Sequence, residues 1–119
     1  MFTPSASSQT SAPAPSLIAG DFPRVTRKVT IASGAGLLVA GTLLGRITAS
    51  KKFVTSASAS SDGSQTPNAV LAGAVDATAA DAEAIVYLTG EFNAGQLILG
   101  TGHTADTVRD GLRDLSIFI

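Results

Sequence analysis

The chain has 119 residues, enough for one domain; 45% are hydrophobic but only 5% aromatic, and there is no Trp. Small aliphatic side chains bury little area each, at about 25 cal/mol per Å2, so association is expected to add stability to a modest core. A net charge of −1 excludes general electrostatic binding to nucleic acid, and the lack of cysteine excludes disulfides and thiolate metal sites.

Residues 1–20 carry no charge and are dominated by Ser, Ala, Thr and Pro. Pro4, Pro13 and Pro15 block helix and inner-strand structure, so this segment reads as an extended arm. Phe2, Leu17 and Ile18 are its isolated apolar anchors, a layout suited to lying along a partner's strand edge. The compact domain is expected over residues 21–119, beginning at Asp21-Phe22-Pro23.

From Val25 to Ala32, Val25, Val29 and Ile31 alternate with Thr26, Lys28 and Thr30, the pattern of a half-buried strand with Arg27 on its apolar side. Ser33 to Gly36 reads as a turn rather than a phosphate cradle, since neither a P-loop lysine nor a third glycine on a helix follows. The apolar run Ile31 to Gly45 is too short to span a membrane and is broken by four glycines. Thr42 to Thr48 is a strand in which Gly45 marks a bulge or a close backbone approach, and Phe53 to Ser56 is a short third strand. Asp62-Gly63 suits a tight turn. Ala69 to Val75, Ala84 to Phe92 and Leu97 to Leu99 are the remaining strands. Thr104 caps a helix over Ala105 to Leu115, with Val108, Leu112 and Leu115 on one stripe and Gly111 weakening it. The pattern predicts a mainly β (β-rich α+β) domain, barrel- or sandwich-like, with one short C-terminal helix.

His103, the lone histidine, sits at a turn; with no G-x-S-x-G elbow among the many serines, it reads as a surface turn residue. Asp76, Asp81 and Glu83 lack the spacing of a calcium loop and read as solvated acids. Neither a cofactor nor a metal site is expected. The order of charges is more informative. From Phe22 to Ser60 every charged residue is basic (Arg24, Arg27, Lys28, Arg46, Lys51, Lys52), and from Ser61 to Ala105 every one is acidic (Asp62, Asp76, Asp81, Glu83, Glu91). Two arrangements satisfy this order. Either the halves form opposite flanks that meet head to tail in a ring, with Arg24, Arg27, Arg46, Asp76, Asp81 and Glu91 at subunit contacts, or they interleave within one subunit as cross-strand pairs.

Three blocks in order carry a resemblance: GDFPRVTRKVTIASGAGLLVAGTLLGRIT, then the Asp62-Gly63 turn followed by AVLAGAVDATAADAEAIVYLTGEFN, then HTADTVRDGLRDLSIFI. Over residues 20–119 the chain resembles the lambda-type head decoration (capsid cement) family of tailed bacteriophages. The resemblance implies a β-rich fold without catalysis and homotrimers on the outer surface of the virion, at local three-fold positions of the expanded head. It also implies an N-terminal arm contacting the major capsid protein, and no direct role for nucleic acid or membrane. Assigning the arm contacts to Phe2, Pro4, Pro13, Pro15, Leu17 and Ile18 is an inference from their chemistry. The alternative is a lipoyl- or biotinyl-like carrier, because GTLLGRIT resembles the strand pattern of small β carriers. Such a module needs a modifiable lysine at a hairpin tip, and Lys51-Lys52 come too soon after the strand to fit that expectation.

Overall fold

The computed structural model describes residues 17–20 and 22–119. Its strands are β1 (Thr26–Ile31), β2 (Gly36–Leu38), β3 (Leu43–Arg46), β4 (Phe53–Thr55), β5 (Pro67–Leu71), β6 (Val75–Ala77), β7 (Ala82–Tyr87), β8 (Gly90–Glu91) and β9 (Ile117–Phe118). One helix, α1, covers Ala105–Arg113. Five strands close into a barrel in the order β1-β4-β3-β5-β7, with β7 returning antiparallel to β1. β2 and β6 form a separate antiparallel pair, and β8 and β9 a parallel one.

The longest pairing, β1 with β7, follows the alternation expected of it. Val29 faces Ala84 and Ile31 faces Ala82 on the inward row, while Lys28 faces Ile85 and Thr30 faces Glu83 on the outward row. Arg27, opposite Val86, extends the inward row to the barrel end; Val86 is fully buried there and Arg27 is exposed. A one-residue slip would move Ile31 and Val86 into water, so this register is strongly specified.

β3 and β5 show no alternation because they are covered on both faces. Leu44, Ala69 and Leu71 point into the barrel core with Ile31, Phe53 and Val86. Leu43 and Val70 point outward into a second core with Leu17, Phe92, Val108, Leu112 and Ile117. The β3–β5 pair is therefore a wall between two small cores, which is how a chain so poor in aromatic residues achieves burial. Where Leu44 faces Ala69 and Gly45 faces Pro67, Asn68 is the extra residue of a bulge. Gly45 is required here: a Cβ would run into the backbone carbonyl of Ser64. Pro67 is accepted because it is the first residue of its strand.

Thr104 and Thr107 cap α1 reciprocally. The Thr104 hydroxyl accepts from the Thr107 amide at 3.3 Å, and the Thr107 hydroxyl accepts from the Thr104 amide at 2.9 Å. The helix ends at Arg113, two residues before the predicted end, and a positive φ of 64° at Ser116 turns the chain into β9. Leu115 thereby leaves the stripe and is 41% exposed, while Val108 and Leu112 carry the packing. The expected strand over Ala84 to Phe92 is split at Leu88-Thr89 into β7 and β8. Leu97 to Leu99 contributes only an isolated bridge, Ile98 to Thr42, after a 3-10 turn over Ala94–Gln96. The apolar run from Ile31 to Gly45 is distributed over the end of β1, a turn, β2 and most of β3; no helix among the described residues is long and apolar enough to cross a membrane.

Candidate functional site

Phe2, Pro4, Pro13 and Pro15 lie outside the described residues, so the structure describes the arm only at its root. That root is bound to the domain. Residues 17–20 and 22–25 run antiparallel to residues 88–93, and backbone and side-chain bonds join them. The Asn93 amide donates to the Leu17 carbonyl at 2.6 Å, and the Ala19 amide donates to the Glu91 carbonyl at 3.1 Å. Between them Ile18 bridges to Phe92. Further on, the Phe22 amide donates to Glu91 Oε1 at 3.0 Å, the Val25 amide donates to Thr89 Oγ1 at 3.0 Å, and the Leu88 amide donates to the Val25 carbonyl at 2.7 Å. The Thr89 hydroxyl also donates to the Pro23 carbonyl, and the Phe22 ring meets Phe118 edge to face at 4.9 Å.

Leu17 is only 2% exposed and belongs to the second core. This corrects its expected place among the partner-contacting residues: its side chain is committed to Phe92, Val108, Leu112 and their neighbours. Ile18 is half-buried against the same cluster. What the sequence did not show is that the root pairs with the end of the strand expected over Ala84 to Phe92, where Thr89, Glu91 and Asn93 present the acceptors and the donor that the root uses.

Two ion pairs among the described residues join the basic and acidic stretches within the subunit. The pairing of basic β1 with acidic β7 sets Lys28 Nζ 3.4 Å from Glu83 Oε1, both side chains well exposed. Lys52 donates to Asp81, whose other oxygen accepts from the Ser33 amide at 2.8 Å and so closes the turn between β1 and β2. Asp76 accepts from the amide and hydroxyl of Thr78, and Glu91 from Phe22. All three acids expected at subunit contacts, Asp76, Asp81 and Glu91, thus have partners within the chain. Arg24, Arg27 and Arg46 are exposed and form no ion pair among the described residues. Hydrogen bonds hold three carboxyls below the ordinary value of 3.8: Ser64 on Asp62, Thr78 on Asp76, and Lys52 with the Ser33 amide on Asp81. These acids are held apart on different turns, and no group of three or more metal-ligating side chains occurs among the described residues.

His103 is not a free surface residue, which corrects the sequence reading. Its Nε2 lies 3.1 Å from Ser56 Oγ and 3.1 Å from the Gln65 carbonyl, and Ser56 is completely buried. Both contacts fall on the same ring nitrogen, and together they clasp the loops at 56–65 and 100–104. Lys51 also departs from expectation. It lies exposed, with φ of 65°, in the connection between the antiparallel strands β3 and β4, so a lysine does occupy a hairpin tip.

Large apolar side chains remain on the surface where periodicity gave no warning: Leu37 on β2 is 70% exposed and Val39 just after it 46%. The arrangement as a whole offers an anchored arm root, a clasped loop pair and exposed surface arginines, a set suited to holding surfaces together. No curated relative matches the chain. The family model of the bacteriophage lambda head decoration protein D matches residues 7–118, from within the arm to the end of β9. With nearly its whole length matched, the chain belongs to the lambda head decoration protein family, whose role is structural and associated with the phage capsid.

Proposed function

We propose that this chain is a capsid cement subunit. It binds the outer surface of an expanded phage head as a homotrimer at local three-fold positions, and residues 1–16 reach the major capsid protein as an arm. The observation that carries the reading is the family match over residues 7–118. The anchored root supports it, because a terminal segment transmits load only where its base is fixed. Packaged DNA pushes the shell outward, and a trimer bridging neighbouring capsomers adds binding free energy that must be lost before the shell opens. Three linked arms engage at high effective concentration, so the whole holds more tightly than any one contact. With Asp76, Asp81 and Glu91 already partnered, subunit contacts of charged type fall to Arg24, Arg27 and Arg46.

The test is the temperature at which DNA-filled heads lacking decoration release their genome. Adding the purified protein should raise it; an unchanged release temperature at saturating protein would overturn the reading. The carrier alternative keeps one specific observation, Lys51 at the β3–β4 tip. An intact mass from the native host equal to the sequence mass removes it, and a lipoyl or biotinyl adduct on Lys51 would favour it.

A further inference from the structure

The β2–β6 pair turns an apolar face to solvent. Its inner side is committed to the barrel core through Leu38, Val75 and Ala77. On its outer side Leu37, opposite Asp76, is 70% exposed, and Val39, two residues on and so on the same face, is 46% exposed. Ala74, one step beyond the paired residues Leu38 and Val75, is exposed beside it. Single apolar side chains are ordinary on a surface, but neighbours on one face with a single charge among them mark a contact. That charge is Asp76. The Thr78 amide and hydroxyl both donate to its Oδ1, which keeps the carboxyl ionised and leaves Oδ2 to accept a further bond. A matching surface lies at the start of β1. Val25 is 51% exposed although its backbone is held by Thr89 and Leu88, and Arg27, two residues on, is exposed as well. Arg27 and Asp76 form no ion pair within the subunit.

We propose that these two surfaces meet between neighbouring copies of this chain: Leu37 and Val39 of one subunit cover Val25 of the next, and Asp76 Oδ2 accepts from Arg27. The proposal rests on the cement reading and deepens it, since it names the contact that closes the homotrimer. Two unlike patches, one of each per subunit, meet head to tail, and three such contacts close a ring about a three-fold axis. A patch that met its own copy would stop at a dimer. The apolar side chains supply the adhesion, as in the core of a permanent interface, while the ion pair fixes the register and rejects a wrong neighbour. Asp76 thus gives one oxygen to Thr78 of its own chain and the other to the adjoining subunit.

The chain contains no cysteine, so thiols can be placed at chosen positions without background. Val25→Cys, Leu37→Cys and the double variant are each added to expanded, undecorated heads and treated with a short bismaleimide. On a denaturing gel the double variant should give a covalent species of three times the 11.9 kDa chain mass, and each single variant only single chains. A double variant that decorates heads yet stays as single chains overturns the proposal. Pairing by Leu37→Cys alone also overturns it, because the face would then meet its own copy. Should the cysteine variants fail to decorate, exchange of the charges carries the test. Arg27→Asp should raise the half-saturating concentration for decoration about tenfold, and Asp76→Arg in the same chain should recover it; no recovery overturns the contact. A parent protein that leaves heads bare is instead the failure of the cement reading, and the contact falls with it.

Discussion

Removing residues 1–16 and removing residues 1–20 should have very different effects on the fold, although the two deletions differ by only four residues. The first leaves Leu17 and its backbone bonds in place. The second removes Leu17, 2% exposed among Phe92, Val108, Leu112 and Ile117, together with the two backbone bonds that join residues 17 and 19 to Asn93 and Glu91. Emptying a buried leucine site costs about 2–5 kcal/mol. Each lost bond adds about 1 kcal/mol at most, because Asn93 and Glu91 would regain water at the exposed edge. A total of roughly 3–6 kcal/mol is a large part of the 5–15 kcal/mol typical of a domain. With a urea dependence of about 2 kcal/mol per M, it lowers the unfolding midpoint by about 1.5–3 M. The assay is urea denaturation followed by far-ultraviolet circular dichroism at one fixed protomer concentration, since association would otherwise shift the midpoint. The shorter deletion should unfold with the parent, and Leu17→Ala in the full chain should reproduce most of the loss seen in the longer one. Equal midpoints for the two deletions would refute the placement of Leu17 in the second core.

Gly111 lies inside α1 with open space where a Cβ would stand, so Gly111→Ala should stabilise the protein by about 0.5–1 kcal/mol, read as a rise in melting temperature; a fall would mean that the helix face is packed after all. Gly45→Ala should destabilise by at least about 1–3 kcal/mol, because its Cβ would meet the rigid Ser64 carbonyl rather than a yielding side chain; a neutral effect in the same melts would show that the bulge can open. Asp62, Asp76 and Asp81 have folded-state pKa values below 3.8, so their hydrogen bonds contribute stability that is complete above 3.8 and lost as pH falls through the lowered values. Urea midpoints should therefore show these contributions fading only below about pH 3.8, and Asp81→Asn should flatten that fall; a fall equally steep in Asp81→Asn would assign it to other groups.

What the sequence disclosed depended on whether a signal was local. The alternation of Val29 and Ile31 gave β1, Gly45 announced both the close approach and the neighbouring bulge, and Thr104 marked the start of α1. β2 was missed because it begins at Gly36, inside the stretch read as a turn, and β9 because a strand of two residues carries no period to detect. Leu115 extended the helical stripe in the sequence, but the turn at Ser116 into β9 ended the helix first. The larger misreadings came from pairings far apart in the chain. Phe22 meets Glu91 across 69 positions, and nothing local in an uncharged, proline-punctuated segment shows that Leu17 has a core waiting for it. The charge order left two arrangements open, and the pairing of β1 with β7 brings Lys28 beside Glu83 within the subunit. His103 and Ser56, 47 positions apart, were likewise joined only by the folding of two loops. The family resemblance, by contrast, lay in the order of whole blocks, and the match over residues 7–118 bears it out.

The most direct measurement of the central claim is an image reconstruction of expanded, undecorated heads after incubation with the purified protein. Added density on the outer surface at the local three-fold positions, with an arm leaving each subunit from the edge formed by residues 17–22 and 88–93, is the result predicted. Heads that remain bare at saturating protein would contradict it.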